Sequence, residues 1–533
     1  MQAKRYIGIA VVMLMLALPA CRKLDLAPSY QETDLDFWKR PDAALNTLNT
    51  VYAQMYSDEY FFFNEDLSDN AFCVSQVNGG RVRNIAEGAY DGRTDRVAGE
   101  WAFHYSGIRG CNNLLANIDK VPGLTDVLRS RIIAETRFIR AFHYFNLYTW
   151  YGDVPLITTE ISFDESFQVK RAPKTEVMNF VLSELDFCEA NLPTNVQYGG
   201  EDKGRVTKGA AIALKARAYL YDGKWQEVIT NCEKLIGTTE NGTYGLVNDY
   251  AGLFTAANEY SKESILEIVY IPAKRTHNQQ RFFIPRTEGQ LICGVAPSQE
   301  LVDDYVMING KAIGEAGSGY DEENPYENRD PRFYATIVYD GANWTRRDGS
   351  IIEIRTAPGT GNNSVDNADA TPTGYYVAKY YDKTADGANN SGLNLMLIRY
   401  ADVLLMYAEA KNELTQMNAQ VWDNTIGALR KRAGFTDIAA LNFNAALSQS
   451  ELREVIRRER RTELAMEGLR VFDIRRWRIA ENVLNGTLHG FKVDGSYLNV
   501  DNRVFDKNKH YLWPVPQNEL DLNPNLKPNN PGW

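Results

Sequence analysis

Apolar side chains recur at steps of three and four residues over two long parts of the chain, about residues 41–235 and 397–484. This spacing places the apolar groups on one face of a helix, because an α-helix completes a turn about every 3.6 residues. The pattern therefore predicts a mainly α protein in which each helix buries one side.

One predicted helix pair is especially regular. Its first helix ends near Asp222-Gly223, and the second begins directly afterwards. The apolar positions that face each other are Ile212, Ala216 and Tyr219 in the first helix and Trp225, Val228, Ile229, Cys232 and Leu235 in the second. Two helices joined by a tight turn resemble a tetratricopeptide unit, so we predict a tetratricopeptide-like helical-repeat scaffold with degenerate repeats.

The pattern changes between the two helical parts. Gly, Asn, Asp and Tyr become frequent, and runs such as Gly314–Gly319 and Gly359–Asn363 are typical of loops. We therefore predict an irregular, loop-rich subdomain inserted into the scaffold. The predicted boundaries are 41–240 for the N-terminal helical part, 241–394 for the loop-rich subdomain and 395–533 for the C-terminal helical part with an extended tail.

The N-terminus has the pattern of an export signal. Lys4 and Arg5 precede an apolar run at residues 7–18, which suits a signal peptide and is short for a bilayer span. The run leads into Leu18–Cys21, a lipobox, so residues 1–20 are predicted to be a signal peptide and Cys21 the lipidated residue. Residues 21–40 then form a tether to a membrane anchor. The alternative is a secreted protein in which this cysteine is incidental.

Composition excludes several classes of function. The net charge of −11 argues against a nucleic-acid partner, because binding to phosphates requires a basic surface. Scattered histidines and the absence of a CxxC pair predict no metal site and no cofactor. Cys188 and Cys232 fall on apolar helix faces and are predicted to be core residues. A bound Ca²⁺ is possible in so many Asp/Asn loops, but residues 366–369 lack the EF-hand spacing.

Several dense motifs resemble the SusD/RagB family of outer-membrane nutrient-binding lipoproteins and follow the order found in that family. They are Ser68–Ala71, Trp101–Tyr105, Cys111–Leu115, Ala134–Phe145, Tyr151–Leu156, Gly204–Lys208, Asn328–Arg332, Arg399–Leu405, Glu463–Arg470, Trp513–Pro516 and Asn523–Asn525. Together they extend over nearly the whole mature chain.

The resemblance implies a function. It implies a lipoprotein on the outer membrane, exposed at the cell surface, that captures oligosaccharides and delivers them to a SusC-like TonB-dependent barrel without catalysing a reaction. Oligopeptides are the alternative cargo, and a protein-binding helical-repeat adaptor is a second alternative. A glycosidase is disfavoured, because no motif supports a pair of catalytic carboxylates, and the chain has no GxSxG, P-loop or HExxH motif.

Glu459, Glu463 and Glu467 stand at four-residue steps among arginines. Such carboxylates could form a catalytic pair or bind a metal. We favour ion pairs with neighbouring helices, because Arg and Glu side chains on packed helices commonly form such pairs.

A glycan site requires exposed aromatic rings beside Asp, Asn or Arg, because sugars have apolar faces and hydroxyl edges. The resemblance places ligand contacts in the loop after the first helices and in the inserted subdomain. The candidates are Trp344, Tyr320, Arg81, Asn78, Asp69 and Asn70. Trp344 stands out because its polar neighbours show no apolar periodicity; its alternative role is a buried loop anchor. Asp69 has the alternative role of supporting the fold.

Overall fold

The computed structural model describes residues 34–74 and 82–533. The predicted signal peptide, Cys21 and most of the predicted tether lie outside these residues. Within the described ranges, no helix has both the length and the apolar character needed to cross a bilayer.

The N-terminal part is built from helices joined by short connections. Their bounds are α1 (Asp34–Phe37), α2 (Ala43–Ala53), α3 (Asp58–Phe63), α4 (Arg83–Ala86), α5 (Asp95–Asn117), α6 (Asp126–Tyr151), α7 (Phe163–Ser166), α8 (Lys174–Asn191), α9 (Lys208–Tyr221) and α10 (Trp225–Glu233). The short strands β1 (Ala71–Phe72), β2 (Val154–Pro155) and β3 (Arg171–Ala172) lie between them. Thr125 and Thr207 cap α6 and α9, where each side chain accepts a hydrogen bond from a backbone N–H of the first turn.

The inserted region contains short elements separated by loops, as predicted. They are β4 (Ser264–Ile268), β5 (Ala296–Pro297), α11 (Gln299–Asp304), α12 (Pro331–Thr336), β6 (Ile337–Val338), β7 (Ala342–Thr345), β8 (Ile351–Ile354) and β9 (Tyr376–Val377).

The C-terminal part returns to helices. Its elements are β10 (Leu395–Arg399), α13 (Tyr400–Glu413), α14 (Ala419–Asn424), α15 (Ile426–Ala433), α16 (Ile438–Leu441), α17 (Gln449–Glu463), α18 (Arg470–Arg476), α19 (Ala480–Val483), β11 (Gly486–Val493), β12 (Ser496–Arg503) and α20 (Gln517–Leu522). The tail that was predicted to be extended contains α20 and a 3-10 turn at Pro524–Leu526.

The longer helices stack in sequence. Helix α5 packs on α6, α6 on α8, α8 on α9, α9 on α10, α10 on α13, and α13 on α17. Helices predominate among the described residues, and the strands found there form two-stranded antiparallel units: β1–β5, β2–β3, β4–β10, β6–β9, β7–β8 and β11–β12. The prediction of a mainly α fold is therefore confirmed.

The predicted helix pair is α9 and α10, and it forms as the pattern indicates. Helix α9 ends at Tyr221, and Gly223 has a positive φ of 68° that favours glycine in the turn. Cys188 and Cys232 are fully buried free thiols, as predicted.

A buried ionic network joins the inserted region to α17. The Arg399 guanidinium contacts Glu463 at 2.6 Å and Glu467 at 2.8 Å, and also Glu263 at 2.9 Å. Arg332 contacts Glu459 at 2.7 Å and Glu463 at 2.9 Å. Burial opposes the ionisation of Glu463, but the three arginines around it outweigh burial and hold its pKa well below the usual range. The predicted structural role of these glutamates is confirmed.

One large hydrophobic core contains residues from the N-terminal helices, the inserted region and the C-terminal helices, from Val51 to Leu526. Side chains from all three predicted segments therefore contribute to a common interior. The boundaries at 240 and 394 stay a prediction.

Candidate functional site

Asp69 and Asn70 lie in the interior, with exposures of 3% and 1%. The Asp69 carboxylate accepts hydrogen bonds from Arg470 at 2.8 and 2.9 Å and forms an ion pair with Arg461. Asn70 donates to Glu65 and accepts from Arg461. Because both side chains are buried, the structure corrects the expectation that they contact a ligand. The alternative role of Asp69, support of the fold, agrees with its position.

Trp344 is also buried, with 5% of its surface exposed. Its ring packs on Tyr381 at 4.5 Å, and the Tyr381 hydroxyl donates to Glu288. The expectation of an exposed stacking ring at this position is corrected by the structure, which supports the buried-anchor alternative. The physical reason is a two-residue period: in β7, Ala342 and Trp344 point inwards while the residues between and after them are exposed.

Asn78 and Arg81 lie outside the described residues. The residues that flank their segment are anchored: the Val74 N–H donates to the Cys293 carbonyl at 3.2 Å. Arg83 donates to the Val74 carbonyl at 3.3 Å and pairs with Glu87. The role of Asn78 and Arg81 stays a prediction.

Tyr320 is partly exposed and has neighbours that the sequence did not indicate. We name Tyr320, Tyr326, Tyr334 and Tyr339 the tyrosine face. Tyr334 is 42% exposed, and the other three side chains are partly buried. All four lie within the inserted region, next to exposed Asp, Asn and Glu side chains.

The rings of the tyrosine face are arranged around Phe333. The Tyr326 ring lies 5.9 Å from the Phe333 ring at 13°, and the Tyr339 ring lies 5.3 Å from it at 21°. The ring centres of Tyr326 and Tyr339 are 4.3 Å apart and the ring planes are tilted by 34°, so the three rings pack as one cluster. Such closely packed rings hold one another in fixed orientations.

Helix α12 explains why this surface forms. Asp330 caps the helix by accepting from the Arg332 N–H at 2.9 Å, and Pro331 occupies its first turn. Phe333 is then buried, whereas the next residue, Tyr334, faces outwards. The Tyr334 hydroxyl donates to the Tyr326 carbonyl at 2.6 Å, which joins two members of the tyrosine face.

Arg329 supports the tyrosine face from behind. Its guanidinium carbon lies 5.7 Å from the centre of the Tyr320 ring and 5.6 Å from that of Phe333. The side chain is 2% exposed and donates to the carbonyls of Val302 and Tyr305. Because these contacts satisfy the guanidinium internally, Arg329 fixes the aromatic rings and does not present its charge to a ligand.

The hydroxyls of Tyr320, Tyr326 and Tyr339 stay neutral near pH 7. Burial raises the pKa of Tyr326 to about 12, and burial also raises the pKa values of Tyr320 and Tyr339. A neutral hydroxyl can both donate and accept a hydrogen bond. The surface therefore combines apolar ring faces with hydroxyl groups, the chemistry that a sugar ring requires, although the hydroxyls of Tyr326 and Tyr334 already bond to Tyr375 and to the backbone.

Tyr326, Tyr334 and Tyr339 are not among the candidates that the sequence indicated. A usable signal was present: four tyrosines occur between residues 320 and 339, among Asp, Glu and Asn. The sequence could not show that α12 and the following strand bring them together.

Two grooves lie on the helical scaffold. One of about 580 Å³ is lined by Tyr148, Asn179 and Tyr219, and one of about 360 Å³ lies beside Phe163, whose side chain is 78% exposed. In the described part of the chain, no three His, Cys, Asp or Glu side chains are grouped in a way that could hold a metal ion. Asp366 accepts hydrogen bonds from Gly359 and Ser364 and so closes its own loop.

Comparison with known proteins identifies the family. The family described as "SusD family" matches residues 262–533, and one described as "Starch-binding associating with outer membrane" matches residues 24–220. SusD-like protein P2 of Formosa agariphila is 27% identical over 99% of this chain and all of its own length.

Solved structures agree with this result. A SusD-like carbohydrate binding protein from Bacteroides fragilis has a TM-score of 0.83 and 27% identity, with 92% of this chain and all of that chain covered. A laminarin binding SusD-like protein has a TM-score of 0.70 and 25% identity, covering 93% of this chain and all of that one. The first family match alone extends over half of the sequence, and the fold agrees with it along nearly the whole chain: this protein belongs to the SusD family.

Proposed function

We propose that this protein is an outer-membrane lipoprotein that binds oligosaccharides at the tyrosine face and passes them to a SusC-like TonB-dependent transporter, without catalysing a reaction. The observation that carries the proposal is the cluster in which the partly exposed rings of Tyr326 and Tyr339 pack on the buried Phe333, with the exposed Tyr334 beside it. Aromatic faces of this kind pack against the C–H faces of sugars, while the neighbouring polar groups bind hydroxyls.

The comparisons support the proposed cargo. One relative of known structure is named as carbohydrate binding and another as laminarin binding, and one matching family is described as starch-binding. The same description mentions association with the outer membrane, which agrees with the lipobox at Leu18–Cys21.

Calorimetric titration would test the binding proposal. The full-length protein in detergent is titrated with laminarin, starch and xylan oligosaccharides, and separately with mixed oligopeptides. We expect heat with at least one oligosaccharide and a loss of binding in Tyr334→Ala. Tyr260→Ala is a matched control, because Tyr260 is 40% exposed and belongs to another part of the surface. Binding of peptides alone would favour the oligopeptide alternative. No heat of binding with either class of ligand would favour the protein-binding adaptor.

The absence of catalysis has its own test. Any oligosaccharide that binds is incubated with the protein for a day and the products are separated by chromatography. We expect the oligosaccharide to be recovered intact. New shorter sugars that disappear with a carboxylate substitution would establish a glycosidase.

The anchor and the transporter are tested in cells. Cys21→Ser should release the protein from the membrane fraction, because its acyl chains are its only predicted anchor. Mild detergent extraction of the unaltered protein should co-purify a large barrel protein. Purification of the lipidated protein without any barrel would contradict the proposed delivery partner.

A further inference from the structure

The charges around the tyrosine face are mainly negative. The eight residues from Tyr320 to Glu327 include no Lys or Arg. Four of them are acidic: Asp321, Glu322, Glu323 and Glu327. All four acidic residues are exposed. They form a rim on the same chain segment that carries Tyr320 and Tyr326.

The basic groups near this rim are already occupied. Arg329 is buried against backbone carbonyls, and Arg332 is buried against Asp330, Glu459 and Glu463. At the surface, Lys492 contacts Glu322 at 3.1 Å. These basic groups therefore already have partners, and the Lys311 ammonium, in the adjoining loop, donates to the Ala316 carbonyl at 2.7 Å.

Arg355, an exposed base beside β8, is paired as well. Its guanidinium contacts Glu353 at 3.0 Å and Asp340 at 3.4 Å. Burial is the main cause of the raised pKa of Tyr326; a hydrogen bond to Tyr375 lowers this pKa, and the nearby charge of Asp340 raises it. Negative charge therefore adjoins the tyrosine face on this side too.

Three carboxylates of the rim have no cationic partner among the described residues: Asp321, Glu323 and Glu327. Asp321 accepts hydrogen bonds from the Asn324 side chain and the Glu323 N–H, which lower its pKa and keep it ionised. An ionised carboxylate only accepts hydrogen bonds. It can bind the hydroxyls of a sugar, but it repels a carboxylate or a sulfate at contact distance.

We propose that the tyrosine face selects uncharged oligosaccharides and rejects those that carry uronate or sulfate groups. The inference rests on the proposed function, since it specifies the ligand class of the same surface. Rejection by a local rim acts over about one Debye length, roughly 10 Å at 0.1 M salt, so salt weakens it.

The test compares matched ligands on the full-length protein. Laminarin and starch oligosaccharides are titrated beside the same oligosaccharides oxidised to carboxylates at their primary hydroxyls. At low salt we expect the carboxylated forms to bind at least about tenfold more weakly than the neutral forms. The ratio of the two dissociation constants should become smaller at about 0.5 M salt. Equal or tighter binding of the carboxylated forms would overturn the inference and leave oligosaccharide capture intact.

Two triple variants with equal net charge separate a local from a global effect. Asp321→Asn/Glu323→Gln/Glu327→Gln changes the rim, and Glu176→Gln/Glu201→Gln/Glu240→Gln changes exposed acids of the scaffold. We expect only the rim variant to reduce the difference in affinity between neutral and carboxylated ligands. An equal effect of both variants would contradict the proposal that the rim acts locally. If no oligosaccharide of either kind binds, the proposed function fails and the inference fails with it.

Discussion

The ring centres of Tyr326 and Tyr339 lie 4.3 Å apart, with 34° between the ring planes. The two residues belong to different turns of the inserted region, and Phe333 of α12 lies beside both. Each ring therefore depends on the others for its orientation, and removal of one should alter the surface that remains.

Tyr339→Ala should weaken oligosaccharide binding at least about fivefold, since truncation of an aromatic anchor commonly costs more than about 1 kcal/mol. The fold should persist, because Tyr339 is only partly buried. Calorimetry gives the affinity and circular dichroism checks the fold. Tyr339→Phe keeps the ring and should retain most of the affinity; an equal loss in both variants would show that the hydroxyl matters more than the ring.

Trp344→Ala should mainly reduce stability, by about 3–5 kcal/mol, because a large buried ring is removed from its contact with Tyr381. Denaturant unfolding measures the change. Ile351→Ala on the partner strand β8 is the control, since Ile351 is 66% exposed and should cost little. A loss of ligand affinity in Trp344→Ala without a loss of stability would restore the direct binding role of this residue.

Glu65 should make stability depend on pH. Burial raises its pKa to about 7 from an ordinary value near 4.5. The folded carboxyl thus binds its proton more tightly than the unfolded one, so its contribution is complete below about pH 4.5 and is lost as the pH rises towards 7. The difference between the pKa of Glu65 in the folded protein and its ordinary value corresponds to about 3 kcal/mol of stability.

Denaturant unfolding of the unaltered protein and of Glu65→Gln at several pH values measures this contribution. The difference in the free energy of unfolding between the two proteins should change between about pH 4.5 and 7. Glu59→Gln removes an exposed carboxylate nearby and serves as the control. Parallel curves for the unaltered protein and Glu65→Gln would contradict the shifted pKa.

Glu463→Gln should cost about 3–5 kcal/mol of stability, because it leaves Arg399, Arg332 and Arg432 without a shared partner in the interior. The pKa of Glu463 is lowered, so its contribution is present above its unfolded value and is lost as the pH falls. Glu454→Gln on the same helix is the control, as its side chain is 67% exposed. Similar unfolding midpoints for the two variants would contradict the central place of this carboxylate.

Gly107→Ala should destabilise the α5–α6 contact, because an added Cβ would overlap the buried His143 ring. That ring is held by a 3.0 Å contact between the Nδ1 atoms of His104 and His143. Gly110→Ala on the same helix meets Val51 at an ordinary 3.5 Å and should be neutral or stabilising, because alanine favours helix by about 1 kcal/mol over glycine. Thermal unfolding compares the two, and equal midpoints would contradict the close approach at Gly107.

The sequence predicted the parts of the fold that depend on local periodicity. The α9–α10 pair has apolar positions at helical steps and a glycine at its turn, and the Glu459–Glu467 spacing indicated ion pairs that the structure contains. These features depend on a few neighbouring residues and on the geometry of one helix.

Trp344 was misjudged because its strand is too short to show alternation clearly. The β11–β12 hairpin was also not predicted, although Asp494-Gly495 between two extended runs is a strong turn signal and both residues have positive φ. The tyrosine face was out of reach for another reason: its rings come from a loop, a helix and a strand end, and only the packing around Phe333 brings them together.

The ionic network at Arg399 and Glu463 has a consequence for divergence among proteins of this shape. In the Arg329–Tyr334 segment, the inward side chains Arg329, Arg332 and Phe333 contact the interior, while the outward Tyr334 takes no part in the network. Outward positions can therefore mutate without disturbing the ion pairs that fix the segment. Natural drift, or a designed library, could therefore replace the outward side chains while the buried framework of the segment stays unchanged.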